Sequence, residues 1–255
     1  MTDRPVPLTD AFASPETKQR YVRRLFSTIA DRYDLITVLL SFGLDRRWKR
    51  RVVDLAAPTR GQRALDLACG TGDLAFALAT RSAAVVGLDV TFRMIELARA
   101  KLRGPATDSG TLAGAGSGRC GFLVGDMCSV PFTDGQFDIV TTGYGLRNVP
   151  DLTKAIAEIH RVLRPGGVLV SLDFNRPSNR FVRATYLGYL AVTGSALGWL
   201  LHRDPDTYRY IPESIRRYPG AAGVAELMRS AGFGHVKRLP VLGGLMAIHV
   251  ARRSA

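Results

Sequence analysis

The sequence predicts an α/β fold: a doubly wound, Rossmann-like sheet with a helical N-terminal segment and a small helical cap. Three observations lead there. Strand-like and helix-like segments alternate between Arg63 and Asp173, the pattern of parallel strands joined by crossover helices. A glycine-rich turn, Gly70-Thr71-Gly72, joins the first strand to the first of those helices. Residues 174–220 then interrupt the alternation and make the candidate cap.

The elements follow in order. The basic, helical stretch Lys18–Leu55 precedes the first strand and is expected to fold over the same face as the cap. Arg63–Leu67 is a short apolar strand, followed after the glycine turn by a helix near Asp73–Thr80. Ala84–Leu88 is a second strand ending at Asp89, and Phe92–Leu102 has helical period. Gly104–Gly118 is nearly all Gly, Ala, Ser and Thr, a composition that builds no core and reads as a surface loop. Strands Gly121–Val124 and Phe137–Thr141, helix Leu152–Leu163, a break at Arg164-Pro165-Gly166-Gly167 and strand Val168–Asp173 complete the alternation. Two late apolar runs, Val236–Val241 and Leu245–Val250, suggest a closing antiparallel hairpin at the sheet edge. The division expected is 1–58 for the helical segment, 59–173 for the sheet core, 174–220 for the cap, and 221–255 for a last helix and closing strands.

Composition bounds the function. A hydrophobic fraction of 46% and a charged fraction of 22% suit a globular chain with a real core. The net charge of +13 suits an anionic partner, either nucleic acid or the surface of an anionic bilayer. Three cysteines without paired spacing argue against a disulfide framework and for a reducing, cytoplasmic setting. No cysteine–histidine cluster suggests a metal site. The most apolar stretch, Ala184–Leu201, contains three glycines, two tyrosines and several hydroxyls, and reads as a buried or interfacial helix rather than a span.

The glycine turn also fits the GxGxxA dinucleotide fingerprint at Gly70–Ala75, so alone it leaves NAD and S-adenosylmethionine both open. Its neighbours favour the second. Asp66 lies just before the turn, where a carboxylate can hold a methionine ammonium; a doubly negative pyrophosphate would gain nothing from it. Asp89 ends the second strand and can accept both ribose hydroxyls, which suits either cofactor. Asp126-Met127 follows the third strand, where it can meet an adenine amino group and ring edge. A dehydrogenase would also want a catalytic pair, but Tyr144 is followed four residues on by Asn148, not lysine. The expected fold is thus the Rossmann-like sheet of class I S-adenosylmethionine methyltransferases.

Further segments sharpen this into a resemblance. Tyr33–Ile36, Ser41–Lys49, Leu65–Asp73, Gly145-Leu146-Arg147-Asn148-Val149, Leu163–Gly167, Asp173–Pro177 and Tyr208–Ile215 are similar to the C-methyltransferases of menaquinone and ubiquinone biosynthesis. The GLRN and YRYIPESI segments are the most specific of these. The resemblance runs from about Glu16 to Arg252. It implies C-methylation of a prenylated quinol ring, demethylmenaquinol to menaquinol, or a benzoquinol in ubiquinone synthesis. It also implies cofactor contacts at Thr71, Asp89, Asp126 and Met127, beside Asp66, Gly70 and Gly72 of the loop. Gly143 stands where the family often has serine, so no side-chain contact is carried over to it.

Chemistry at a ring carbon requires a phenolate. Ionising a phenol of pKa near 10 at pH 7 costs about 4 kcal/mol. Arg147 is the candidate that offsets this, as a fixed cation beside Asn148 at the end of the fourth strand. Guanidinium keeps its proton above pH 12, so it serves as a donor rather than a base, worth roughly 3 kcal/mol. Tyr33 or a water is the candidate relay for the proton. Each residue has a plainer reading: Arg147 as a structural ligand of carbonyls, Tyr33 as helix packing. His202 is a further candidate acceptor. The isoprenoid tail calls for an apolar channel, for which Ala184–Leu201 is the candidate lining, with peripheral contact to the inner membrane surface. Core packing explains that segment equally well. The charge makes nucleic-acid methylation the rival reading, but no nucleic-acid module accompanies it and no nucleic-acid partner is expected. A cofactor-binding scaffold is another, and a homodimer is an assembly the sequence allows.

Overall fold

The computed structural model describes residues 6–41, 43–81, 84–103, 119–203 and 207–254. The expected loop Gly104–Gly118 lies outside the described residues.

Three helices precede the sheet, where the sequence suggested one basic stretch. The first, α1 (Pro15–Ile29), starts at a capping box in which Ser14 Oγ accepts the Thr17 amide and Thr17 Oγ1 accepts the Ser14 amide, with proline as its first helical residue. A tight turn over 30–32 separates it from α2 (Tyr33–Leu40). The third, α3 (Asp45–Ala56), buries Trp48, Val52, Val53 and Ala56 at helical spacing.

The strands are β1 (Arg63–Leu67), β2 (Ala84–Asp89), β3 (Arg119–Val124), β4 (Phe137–Gly143), β5 (Leu163–Phe174), β6 (Phe233–Val241) and β7 (Met246–Arg253). They form one sheet in the order β3-β2-β1-β4-β5-β7-β6. Strands β1 to β5 run parallel, and β7 runs antiparallel to both β5 and β6. The expected closing hairpin therefore exists at one edge of the sheet, with β6 outermost and β7 inside it. Its second strand, β7, lies between β5 and β6, with Ile248 and Ala251 fully buried in the layers on the two faces. The expected break at Arg164–Gly167 is absorbed into β5, whose pairing with β4 begins at Leu163 and is irregular between Phe137 and Ile139.

Helices α4 (Asp73–Ala79), α5 (Phe92–Arg103), α6 (Leu152–Val162) and α9 (Gly220–Ser230) cover the two faces of the sheet. One core layer joins Val168, Val170 and Leu172 of β5 to α3, α4 and α5. The other joins Leu65, Leu67, Val140 and Leu169 to Ile156 and Ile159 of α6 and Met228 of α9. This is strand alternation at work, each fully buried Leu or Ile contributing about 1.5–3 kcal/mol.

The cap consists of α7 (Arg180–His202) and α8 (Tyr210–Arg217). Asn179 caps α7 through the amides of Phe181 and Val182. Tyr186, Leu190, Gly194 and Gly198, spaced by four, are buried with Leu187 on one face of α7. Gly194 is there because Tyr208 lies against it: a Cβ would sit 3.1 Å from the Tyr208 Cβ. The helix is long and apolar enough to cross a bilayer by length and composition.

Candidate functional site

The glycine turn lies at the carboxyl end of β1, as the doubly wound fold dictates for ligand sites. Gly70 and Gly72 both hold positive φ, 53° and 94°, and a Cβ on Gly72 would meet the Phe76 and Phe122 rings below 3.0 Å. The turn leads straight into α4, so its amides open on a small cavity of about 320 Å³ lined by Asp66, Gly70, Thr71, Asp73, Lys49 and Tyr33 among others.

Asp66 is fully buried. Its Oδ1 accepts Thr141 Oγ1 at 2.7 Å, while Oδ2 is a buried acceptor without a hydrogen-bond partner. Burial pushes this carboxyl up to about 7, against the Thr141 bond and the nearby Lys49 ammonium. A buried acid with a spare acceptor suits an ammonium group. The Asp66 and Asp73 carboxylates lining the cavity disfavour a doubly negative pyrophosphate, and the buried acceptor of Asp66 suits the ammonium of S-adenosylmethionine.

A second cleft of about 680 Å³ continues from the turn over the ends of β2 and β3, lined by Asp89, Asp126 and Met127. Asp89 accepts the Gly70 amide on Oδ2 at 2.9 Å and the Thr91 amide on Oδ1 at 2.8 Å, and burial raises its carboxyl pKa against those bonds. Asp126 Oδ1 accepts the Cys128 amide at 2.8 Å, and Oδ2 accepts Gln19 Nε2 of α1 at 2.6 Å. The N-terminal helices thus roof the cleft. Thr71 Oγ1 likewise donates to Asp34 Oδ1 of α2 at 2.6 Å, and Lys101 bridges Asp34 at 2.7 Å.

A third, apolar chamber of about 840 Å³ lies under α2, α7 and α8, lined by Ile36, Tyr186, Leu190 and Tyr210 among others, and by Arg147 and Asn148. Tyr33 and Tyr144 line all three cavities and so stand where they meet. Tyr144 holds a φ of 61°, a left-handed conformation rare outside glycine. The next residue must be glycine: a Cβ at Gly145 would lie 2.4 Å from Thr142 Oγ1 and 2.8 Å from Ala68 Cβ.

Arg147 is buried and held on several sides. Its Nε lies 3.4 Å from Asp173 Oδ1, an ion pair without hydrogen-bond alignment, and its amide donates to Asp173 Oδ2 at 3.0 Å. Its Nη1 donates to Ser214 Oγ of α8, and its guanidinium lies 4.9 Å from the Phe174 ring centroid. Burial raises the Asp173 carboxyl pKa, and Arg147 opposes that shift. Lys18 Nζ donates to the Arg147 carbonyl at 3.2 Å, its own pKa lowered to about 8 by burial and by Arg147. Asn148 Nδ2 donates to the Tyr144 carbonyl at 2.8 Å, which fixes the amide orientation and leaves Oδ1 as an unpartnered acceptor. Burial pushes the Tyr33 phenol up to about 12, so it is neutral at physiological pH.

Nine of the ten site residues singled out by sequence line one of three adjoining cavities, and the tenth, Gly72, lies between two residues that do. His202 does not join them; its Nε2 meets the Tyr208 hydroxyl at 3.0 Å. Asp45, Lys49, Tyr144, Asp173 and Ser214 were not among the site residues the sequence pointed to, although four of them lie in the resembling segments. The Asp45–Lys49 pair had a signal, its i,i+4 spacing on a helix, but it was hidden among the arginines of a basic run.

The sequence model of the ubiE/COQ5 methyltransferase family matches residues 14–253. A Thermus thermophilus protein named demethylmenaquinone methyltransferase is 42% identical over 231 residues, covering 90% of this chain and 100% of its own. A Serratia proteamaculans protein named ubiquinone/menaquinone biosynthesis C-methyltransferase UbiE is 36% identical, covering 98% of each chain. Among solved structures, an S-adenosylmethionine-dependent methyltransferase from Thermotoga maritima superposes with a TM-score of 0.62 at 19% identity, over 91% of this chain and 100% of its own, which establishes the shared fold.

Proposed function

This chain belongs to the ubiE/COQ5 methyltransferase family and is an S-adenosylmethionine-dependent C-methyltransferase of quinone biosynthesis, and from that premise we propose that it converts demethylmenaquinol to menaquinol. The observation that carries the ring-level reading is the meeting of a polar cofactor cleft and an apolar chamber at Tyr33 and Tyr144, with Arg147 and Asn148 on the chamber side. When bound, S-adenosylmethionine supplies an electrophilic methyl group. Asp66 and the glycine turn bind its amino-acid end in this reading, Asp89 its ribose, and Asp126 with Met127 its adenine.

The protein's task at the ring is to favour the phenolate. Arg147 does this as a donor, and its contacts with Asp173, Ser214 and Phe174 hold it in place without reorganisation during reaction. Asp173 neutralises part of its field, so direction counts as much as charge. Asn148 Oδ1 is an acceptor, and a quinol hydroxyl is a donor where an oxidised quinone is not. Tyr33, neutral at working pH, passes a proton only as an intact hydroxyl, receiving one as it gives one. The tail runs along the chamber beneath α7.

The outer face of α7 leaves Phe181, Val192, Trp199 and Leu200 exposed, at 80%, 74%, 67% and 68%. With the net charge of +13, this supports peripheral contact of a cytoplasmic protein with an anionic membrane, from which the tailed substrate enters. The Serratia relative's name covers both quinones, so the benzoquinol precursor is the second candidate substrate. Incubation with labelled S-adenosylmethionine and each reduced precursor, followed by mass spectrometry, decides between them. Label in neither product would reject the ring-level reading.

A further inference from the structure

Lys49 is a largely buried lysine on α3 that no part of the reaction described so far uses. Its Nζ lies 2.7 Å from Asp45 Oδ2 and 2.9 Å from Asp73 Oδ2. Burial opposes its charge, but Asp73 and Asp45 outweigh burial and keep it protonated. It also lines the small cavity beside the glycine turn, together with Asp66 and Thr71.

That cavity is where the amino-acid end of the cofactor belongs, because Asp89, Asp126 and Met127 line the other arm of the cleft. An amino acid is a zwitterion, and each half needs a partner on leaving water. The ammonium has Asp66 Oδ2, a buried acceptor without an aligned donor. The carboxylate needs donors, and Lys49 is the one cation among the described residues lining this cavity. An ammonium carries three protons, and Asp45 and Asp73 take two. Lys101 turns towards Asp34 and Asp73 and does not line the cavity.

We propose that Lys49 holds the carboxylate of the cofactor's methionine portion, which makes α3 as much a part of the cofactor site as the glycine turn. The proposal rests on S-adenosylmethionine being the ligand of that turn. The competing reading makes Lys49 only a counter-ion that keeps Asp45 and Asp73 together.

Three ligands separate these readings when titrated into the full chain and into Lys49→Met by calorimetry. They are S-adenosylhomocysteine, its decarboxylated analogue, which keeps the ammonium, and 5′-methylthioadenosine, which lacks the amino-acid end. Lys49→Met is expected to weaken S-adenosylhomocysteine by about 10- to 100-fold, the size of one charge-assisted hydrogen bond. The two ligands without a carboxylate should bind the variant within about twofold of the parent, or tighter. Equal losses for all three would make Lys49 a structural counter-ion and overturn the proposal, as would no loss for any. If Lys49→Met does not fold, Lys49→Gln carries the same comparison. Failure of the parent protein to bind 5′-methylthioadenosine would instead overturn the cofactor reading of the cleft, and this assignment with it.

Discussion

Tyr144 donates its hydroxyl to Asp45 Oδ1 over 2.7 Å, joining the end of β4 to the first turn of α3. The ring that stands between the cofactor cleft and the chamber is thereby fastened to the same carboxylate that holds Lys49. Tyr144→Phe keeps the ring and its left-handed backbone but removes a donor from a carboxylate that is 3% exposed. The expected loss is about 1.5–3 kcal/mol of stability, seen as a fall of several degrees in Tm by thermal denaturation. An unchanged Tm would mean that Lys49 alone satisfies Asp45.

The pH dependence of cofactor binding should report Asp66. Its carboxyl titrates near 4 when unfolded but is pushed up to about 7 in the folded protein. The folded state therefore binds the extra proton between those values. The group's contribution to stability is complete below about pH 4 and is lost as pH rises to about 7. Binding of an ammonium runs the other way, because it needs the carboxylate. S-adenosylhomocysteine affinity should rise about tenfold per pH unit up to about pH 7 and then level off. Calorimetry on Asp66→Asn should show that slope flattened; an unchanged slope would assign the titration to another group.

Arg147 is bound into the fold as well as the chamber, so its variants need two readouts. Arg147→Ala strands the buried Asp173 carboxyl and should cost about 3–5 kcal/mol of stability along with activity. Arg147→Lys keeps the charge but loses the planar fork. It should fold, bind S-adenosylhomocysteine normally and lose about 10- to 100-fold in kcat. Full activity in Arg147→Ala would end the phenolate-stabilising role.

The Tyr210 hydroxyl is buried without a hydrogen-bond partner, and its ring stacks between Phe12 and Tyr21 at 5.7 and 5.4 Å. Removing an unsatisfied buried hydroxyl relieves a desolvation cost. Tyr210→Phe should therefore be neutral or raise stability by up to about 1 kcal/mol in denaturant titration. A clear destabilisation would reveal a partner.

The exposed apolar face of α7 makes the membrane contact testable without touching the chemistry. Trp199→Ser with Leu200→Ser should leave Tm unchanged, since both side chains face solvent, and reduce sedimentation with anionic liposomes. Added salt should weaken binding of the parent protein as well. Binding indifferent to the substitutions, lipid charge and salt would reject it.

What was legible in the sequence was what is local. The glycine turn announces itself because positive φ at Gly70 and Gly72 restricts residue type, and Asp66, Asp89 and Asp126 sit at strand ends that alternation reveals. Arg147 and Asn148 were visible as part of a segment, but the partners that define what Arg147 can do were not. Asp173 is 26 residues away and Ser214 is 67, and only the packing of β5 and α8 brings them there. The roofing contacts of Gln19, Asp34 and Lys49 escaped for the same reason. The closing hairpin was legible at the sheet edge, but not that β7 is its inner strand, because an apolar run reads alike whether it has one neighbour or two.

That position of β7 reverses the order in which the sheet is made and closed. Strand β6 leaves the ribosome before β7 but cannot join the sheet until β7 lies between it and β5. During synthesis, β5 therefore presents an unpaired edge until β7 has emerged. Pulse-labelling of nascent chains should find β5 protected only once β7 has emerged, despite its central place.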